Sequence, residues 1–328
     1  MLIPRRAALR SLSAAALAPV LMPSFAQAYP NRMITVVVPW PAGAATDAAT
    51  RIIAEAMAKE MGQPVVVDNR PGASGAIGCS FVAKGPKDGY RLITATADTH
   101  TINPQVRKSL SYDARKDFES IALFATMDMV WVARPDLSYK SMAEVLAAAR
   151  QLTTPMSYGT WGVGSTAHLA GALLEMASGL SFNHVPFQGA APALTALAGG
   201  HVDLVPTGRM TAATMRAAGK VKILGIASQR RASGELSDVL TLEEQGIKGA
   251  EARSWYGLMA PKNIPDEVRA RLVEAIGKVL ASPDIRARIA GTGLDPMPLT
   301  GADFQDFLRQ QWDATGRVVH SKKIYMNE

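Results

Sequence analysis

Three stretches of this chain place small residues between an apolar run and a helical one, an arrangement in which the backbone can hold an anion. They are Pro39-Trp40-Pro41-Ala42-Gly43-Ala44-Ala45-Thr46-Asp47, Tyr158-Gly159-Thr160-Trp161-Gly162-Val163-Gly164-Ser165-Thr166-Ala167-His168 and Val185-Pro186-Phe187-Gln188-Gly189-Ala190-Ala191. Each would end a strand and open a helix, whose first N–H groups lack intrahelical partners. The positive end of the helix dipole adds about 0.3–1 kcal/mol per exposed charge. Three such starts converging on one cleft would bind an anionic group without an arginine. Taken singly, each is equally readable as a tight turn, with Thr46 or Asp47 able to cap the first helix. A nucleotide site is not indicated: Gly159, Gly162 and Gly164 do not make G-x-G-x-x-G, and no G-K-[ST] follows a glycine-rich loop.

Other chemistry is largely excluded by spacing. His100, His168, His184, His201 and His320 show neither H-x-x-x-H nor H-x-H spacing and have no clustered carboxylates, so no metal or cofactor is expected. The single Cys79 rules out an internal disulfide or a cysteine-built zinc site. No G-x-S-x-G elbow occurs, which argues against an α/β-hydrolase. His168, one turn into its helix, is placed either to meet a bound carboxylate or to pack and cap there. Asp203, on an apolar strand, either joins a site or ties down a neighbouring loop.

Alternating short apolar strands and helices position these loops. Strands are expected at 34–38, 63–67 and 90–94, with helices at 47–61 and 75–84 between them. A second series has strands at 130–133, 156–158, 183–185, 202–205 and 222–226, with helices at 141–149, 165–178, 190–198 and 211–218. Beyond residues 255–259 the chain reads as helical, over 266–281, 284–290 and 302–320. This grammar gives an α/β fold of two doubly wound domains, each with a mainly parallel sheet covered on both faces. The expected division is 29–128 plus 254–328 for the first domain and 129–253 for the second. Two crossings would hinge them about a cleft, with ligands at the carboxyl ends of strands.

Composition agrees. The chain has 328 residues, 48% of them hydrophobic, which suits about two globular domains. Its formal charge of +7 includes Arg5, Arg6 and Arg10, which precede an apolar run from Leu12 to Met22 and the small-x-small triplet Ala26-Gln27-Ala28. Residues 1–28 therefore read as a secretory signal peptide, with an uncleaved anchor as the alternative. Arg5-Arg6 permits a twin-arginine route, and an ordinary Sec signal fits as well. Without those arginines the charge is a weak +4, with no basic cluster interleaved with aromatics, so no nucleic-acid partner is expected.

A run of short motifs in order carries a resemblance. They include Tyr29-Pro30, Pro41-Ala42-Gly43, Thr46-Asp47, Asn69-Arg70-Pro71-Gly72, Asp88-Gly89-Tyr90 and Thr99-His100-Thr101-Ile102-Asn103-Pro104. Gly164-Ser165-Thr166, His168-Leu169-Ala170-Gly171, His184-Val185-Pro186-Phe187-Gln188-Gly189 and Ser254-Trp255-Tyr256-Gly257 follow. Across the mature chain the sequence resembles the periplasmic substrate-binding proteins of the tripartite tricarboxylate transporters, the Bug-type receptors. The resemblance implies a periplasmic, non-catalytic Venus flytrap that closes over a small organic acid and delivers it to a membrane permease. A receptor presenting its closed form to a sensor domain remains open, as does a secreted hydrolase or isomerase acting on an organic acid. The implied ligand positions are Ala42, Gly43, Thr46 and Asp47; Thr99 and His100; Ser165, Thr166 and His168; and Phe187, Gln188 and Gly189, with Gly164 beside them.

Departures from the family pattern bear on ligand choice. Ala44 and Ala45 replace glycines and would slightly narrow backbone access. Asp98 stands where small neutral residues are usual; it could pair with a ligand amine or hydroxyl and would disfavour a second carboxylate nearby. Trp161 either lines an aromatic pocket wall or faces solvent. Pro206-Thr207 after Asp203 puts a contact from that strand end in doubt.

Overall fold

In the computed structural model, residues 29–232 and 234–326 are described; the expected signal peptide lies outside them. The first sheet starts from the β-branched run Ile34–Val38 (β1), which pairs in parallel with Val65–Asn69 (β2) and Arg91–Thr96 (β3). Helices Ala45–Met61 (α1) and Ala76–Ala83 (α2) make the crossovers. Alternate residues of β1 serve opposite faces: Ile34 and Val36 join the core under α1, and Val37 joins the core on the other side. Both faces are therefore buried, as a doubly wound parallel sheet requires.

The strand Phe118–Ala133 (β4) links two sheets. Its residues 118–128 lie antiparallel to Arg253–Pro261 (β9), which in turn pairs with β3. At Met129 the partners change: residues 129–133 pair with Leu204–Gly208 (β7) and Lys222–Ala227 (β8). Ser157–Thr160 (β5) and Asn183–Pro186 (β6) extend the second sheet in parallel beyond β7. Helices Met142–Ala149 (α4), Thr166–Ser178 (α5), Ala190–Ala198 (α6) and Arg209–Ala217 (α7) cover it. Trp131 and Val132 point to opposite cores, again both faces buried.

Both sheets are mixed rather than mainly parallel, since β9 is antiparallel to β3 and β4, and β4 is antiparallel to β7 and β8; two elements also depart from expectation. β4 begins twelve residues before the anticipated strand, and Asp295–Thr300 (β10) is a strand in a region expected to be helical. β10 contains Pro296 and Pro298 and pairs with β4 alone, so it is an edge strand, where a missing N–H is tolerated. Between β3 and β4 a π-turn, Asp98–Ile102, runs into the short helix Asn103–Val106 (α3). Helices Asp266–Ala281 (α8), Pro283–Ala290 (α9) and Gly301–Lys322 (α10) return to the first sheet, as expected from their lack of strands nearby.

Candidate functional site

β1, β2 and β3 end together, since Val38 faces Asn69 in the ladder and β3 runs alongside. The loop from β1 to α1 leaves this edge with Ala42, Gly43 and Ala44 exposed and Thr46 and Asp47 buried. Gly43 sits at φ +86°, where a side chain would be strained. Ala44 lies at φ −76°, so alanine in place of glycine costs the backbone nothing there. Asp47 does not cap α1. Its carboxylate accepts from Gly43 N at 3.0 Å, Arg51 Nε at 3.0 Å and Asn69 Nδ2 at 2.9 Å, while Asn69 Nδ2 also donates to Trp40 O. Burial would raise the Asp47 carboxyl, but the hydrogen bonds from Arg51, Gly43 and Asn69 outweigh it and hold it below the usual range. The role of Asp47 is thus to shape the loop, and α1 keeps its first N–H groups free of any side-chain cap.

Asp47→Ala would leave the Gly43 amide, the Asn69 amide and the Arg51 guanidinium without this acceptor. Such a loss costs about 1–3 kcal/mol. Urea unfolding should show a lower midpoint at unchanged m-value; an unchanged midpoint would remove Asp47 as the organiser of the loop.

At the matching edge of the second sheet, Ser165 caps α5 by accepting from His168 N at 3.2 Å, and Gly162 and Gly164 take φ +130° and +73° in the loop before it. This loop lies on the first sheet's α3: a Cβ at Gly164 would stand 3.1 Å from Val106 Cγ1 and 3.4 Å from Asn103 Oδ1. Beside it, Asp98 reaches from the π-turn to α5. Asp98 Oδ1 accepts from Thr166 N at 2.8 Å and, over a very short distance, from Thr166 Oγ1; Asp98 Oδ2 accepts from Trp161 Nε1 at 3.0 Å. Asp98 is buried, and burial pushes its carboxyl up despite the bonds from Thr166 and Trp161. Trp161 therefore does not simply face solvent; its ring is half-buried against the second core and its N–H is committed to Asp98.

His168 stacks on His184, with ring centroids 3.9 Å apart and planes 12° from parallel. Gly164 N donates to His168 Nδ1 at 3.2 Å, and His184 Nε2 lies 2.7 Å from Thr160 Oγ1. Burial, with His184 adding to it, pushes His168 down to about 3, and burial pushes His184 down to about 4. Phe187 is anchored by its N–H to Thr160 O at 2.9 Å and packs near Gly159, while Gln188 is exposed and Gly189 opens α6 with no side-chain cap.

Three expected site residues lie elsewhere. Side chains two apart in a helical turn point in nearly opposite directions, since two residues advance about half a turn. Asp98 therefore faces α5, and His100 faces the core, 4% exposed and edge-on to Phe118 at 4.7 Å. Thr99 spends its hydroxyl on Thr96 N at 3.0 Å and on His100 Nδ1 at 2.9 Å. Asp203 accepts from Ser157 N and Oγ, both at 2.8 Å, and pairs with Arg134. It precedes β7 and meets the first residue of β5, at the amino ends of parallel strands, away from the loops at their carboxyl ends. Asn69, Arg51 and Asn103, none of them expected in the site, support it: Asn103 Nδ2 donates to Ser74 O at 2.8 Å and lies under Gly164. Asn69 and Asn103 both fall within the family-like motifs, which was the available signal.

Residues 49–324 match the model of the tripartite tricarboxylate transporter family receptor. The "UPF0065 protein in tcbD-tcbE intergenic region" of Pseudomonas sp. strain P51 is 35% identical over 305 residues, 92% of this chain and 89% of that protein. Among solved structures, "R. palustris Rpa4515 with adipate" superposes with a TM-score of 0.83 at 31% identity, over 90% of this chain and 99% of that one. MatC from Rhodopseudomonas palustris with bound malate gives a TM-score of 0.76 at 31% identity, over 89% and 100%. The two sheets are thus those of a two-domain periplasmic-binding-protein fold, and the chain belongs to the tripartite tricarboxylate transporter family of receptors.

Proposed function

We propose that this protein is a non-catalytic periplasmic receptor that captures a small organic acid between two domains and delivers it to a membrane permease. One observation carries the reading. Helix starts from both sheets open at strand carboxyl ends, and one of them, α5, already holds a carboxylate on Thr166 N–H and Oγ1. The starts of α1 and α6 carry no side-chain cap and offer the same kind of donor to a ligand acid. The proposed domains are 29–128 plus 254–328 and 129–253, with residues 1–28 as the export signal. Their hinge lies where β4 changes partners, next to Arg253, which pairs with Asp128 at 2.6 Å. The bound acids of Rpa4515 and MatC support this ligand class. An enzyme is disfavoured: in both hydroxyl–imidazole pairs found among the described residues, Thr160 with His184 and Thr99 with His100, the threonine is 0% exposed, so no substrate reaches its oxygen.

Thermal unfolding of refolded, ligand-stripped mature protein against mono- and dicarboxylates, hydroxy acids, amino acids and aromatic acids tests the proposal. An acid at about 100 times its Kd should add about 2.7 kcal/mol. For a chain of this size that is a rise in Tm of roughly 5 °C or more, with the compound recovered unchanged. No rise with any acid, or recovery of a transformed compound, would reject it.

A further inference from the structure

We propose that Asp98 makes the cleft selective for ligands with a single carboxylate, by filling with the protein's own acid the place on α5 where a second ligand carboxylate would be held. The inference rests on the carboxylate-receptor reading above and narrows it. A helix start has few donors, and those of α5 are spent or enclosed, Ala167 in its first turn being 0% exposed. Thr166 N and Oγ1 donate to Asp98, His168 N donates to Ser165 Oγ, and the preceding loop amide of Gly164 donates to His168 Nδ1. The indole N–H of Trp161, the neighbouring side-chain donor, is also given to Asp98.

A second carboxylate brought to this side of the cleft would meet no free donor among these and would face a buried acid. Its desolvation would go uncompensated. The argument is indifferent to the protonation state of Asp98, because the donors are occupied in either form. Asp98 comes from the first sheet's π-turn and its donors from the second sheet, so the same contact also joins the two halves of the cleft wall. The ligand end that reaches α5 is therefore an uncharged one, lying against Trp161.

The experiment compares straight-chain monocarboxylates of three to eight carbons with the α,ω-dicarboxylates of equal length, by calorimetry and thermal shift. Wild-type protein is measured with Asp98→Ser and Asp98→Asn, circular dichroism and unfolding midpoints being recorded for each. Wild type should bind its best monocarboxylate at least about tenfold more tightly than the diacid of the same length, equivalent to 1.4 kcal/mol. Asp98→Ser, which frees the Thr166 and Trp161 donors, should shift that ratio at least about tenfold toward the diacid. A wild type that prefers diacids overturns the proposal without any variant, as does an unchanged ratio in folded Asp98→Ser and Asp98→Asn. Absence of response from wild type and variants to every acid rejects the receptor reading itself, and the proposal with it.

Discussion

Trp255→Ala should lower the stability of the protein by about 3–5 kcal/mol, the usual cost of truncating a buried tryptophan. Trp255 is 0% exposed on β9, between β3 and β4 in the first sheet. Its ring meets Phe304 and Phe307 edge-on at 6.0 and 6.2 Å and His100 at 6.4 Å. Packing supplies its whole contribution, because the indole N–H has no acceptor among the described residues. The space left is bounded by the sheet backbone and by α10, neither of which can collapse into it cheaply. Urea denaturation should report a much lower midpoint, and Tm should fall by roughly 10 °C. Trp255→Phe, which keeps an aromatic disc against Phe304, should cost clearly less. A loss under about 1 kcal/mol for the alanine variant would mean that this core relaxes around the gap. The effect extends to the site, since His100 rests on Trp255 and belongs to the same π-turn that aims Asp98 at α5.

That turn shows where reading from sequence stops. The helices were legible because their ends are marked by local chemistry: Ser141 and Ser165 cap α4 and α5, and Gly62 and Gly179 close α1 and α5 in the left-handed conformation. The first half of β4 was not legible. Ile121 through Ala125 are all fully or almost fully buried, so no period-two alternation betrays the strand, and its Ala, Leu and Met content is not strand-like. β10 was hidden by its two prolines, which only its position at a sheet edge excuses.

Within the site, the loops could be found from their grammar, but the directions of their side chains could not. Asp98, Thr99 and His100 are consecutive and serve three different ends: a contact to α5, a turn and the core. Asp47 looked like a cap or a ligand contact and is instead the acceptor that holds Gly43 and Asn69 in place. Asp203 stands on the same strand-and-loop pattern as the site, yet at the wrong end of the strand, a distinction that only the parallel pairing of β5 with β7 makes visible.

Acidification from pH 7 to pH 4.5 should destabilise the protein by several kcal/mol, through imidazoles held neutral in the fold. Burial pushes His100 and His168 down to about 3, with His184 contributing at His168, and pushes His184 to about 4. In the unfolded chain each has an ordinary pKa near 6.5. As pH falls below that value the unfolded state takes up protons that the folded state refuses. The stabilisation present at neutral pH is therefore lost progressively between about pH 6.5 and the folded values. Each such histidine contributes up to about 1.4 kcal/mol per pH unit, less for His168 and His184, which are only partly buried and so partly screened. Asp98 and Asp128 act in the opposite sense near the acid end, because burial raises both carboxyls and the folded state protonates them first.

The histidine term should dominate over pH 6.5–5, above the range in which most carboxylates titrate. His168→Gln, which retains an acceptor for Gly164 N, should flatten the dependence of unfolding free energy on pH in this range by up to about 1.4 kcal/mol per unit. Urea unfolding at half-unit pH steps separates the outcomes. A slope shared by wild type and His168→Gln would show that His168 is free to protonate in the fold. A shallower slope in the variant would show that the stacked pair is kept neutral at the start of α5, beside the donors that hold Asp98.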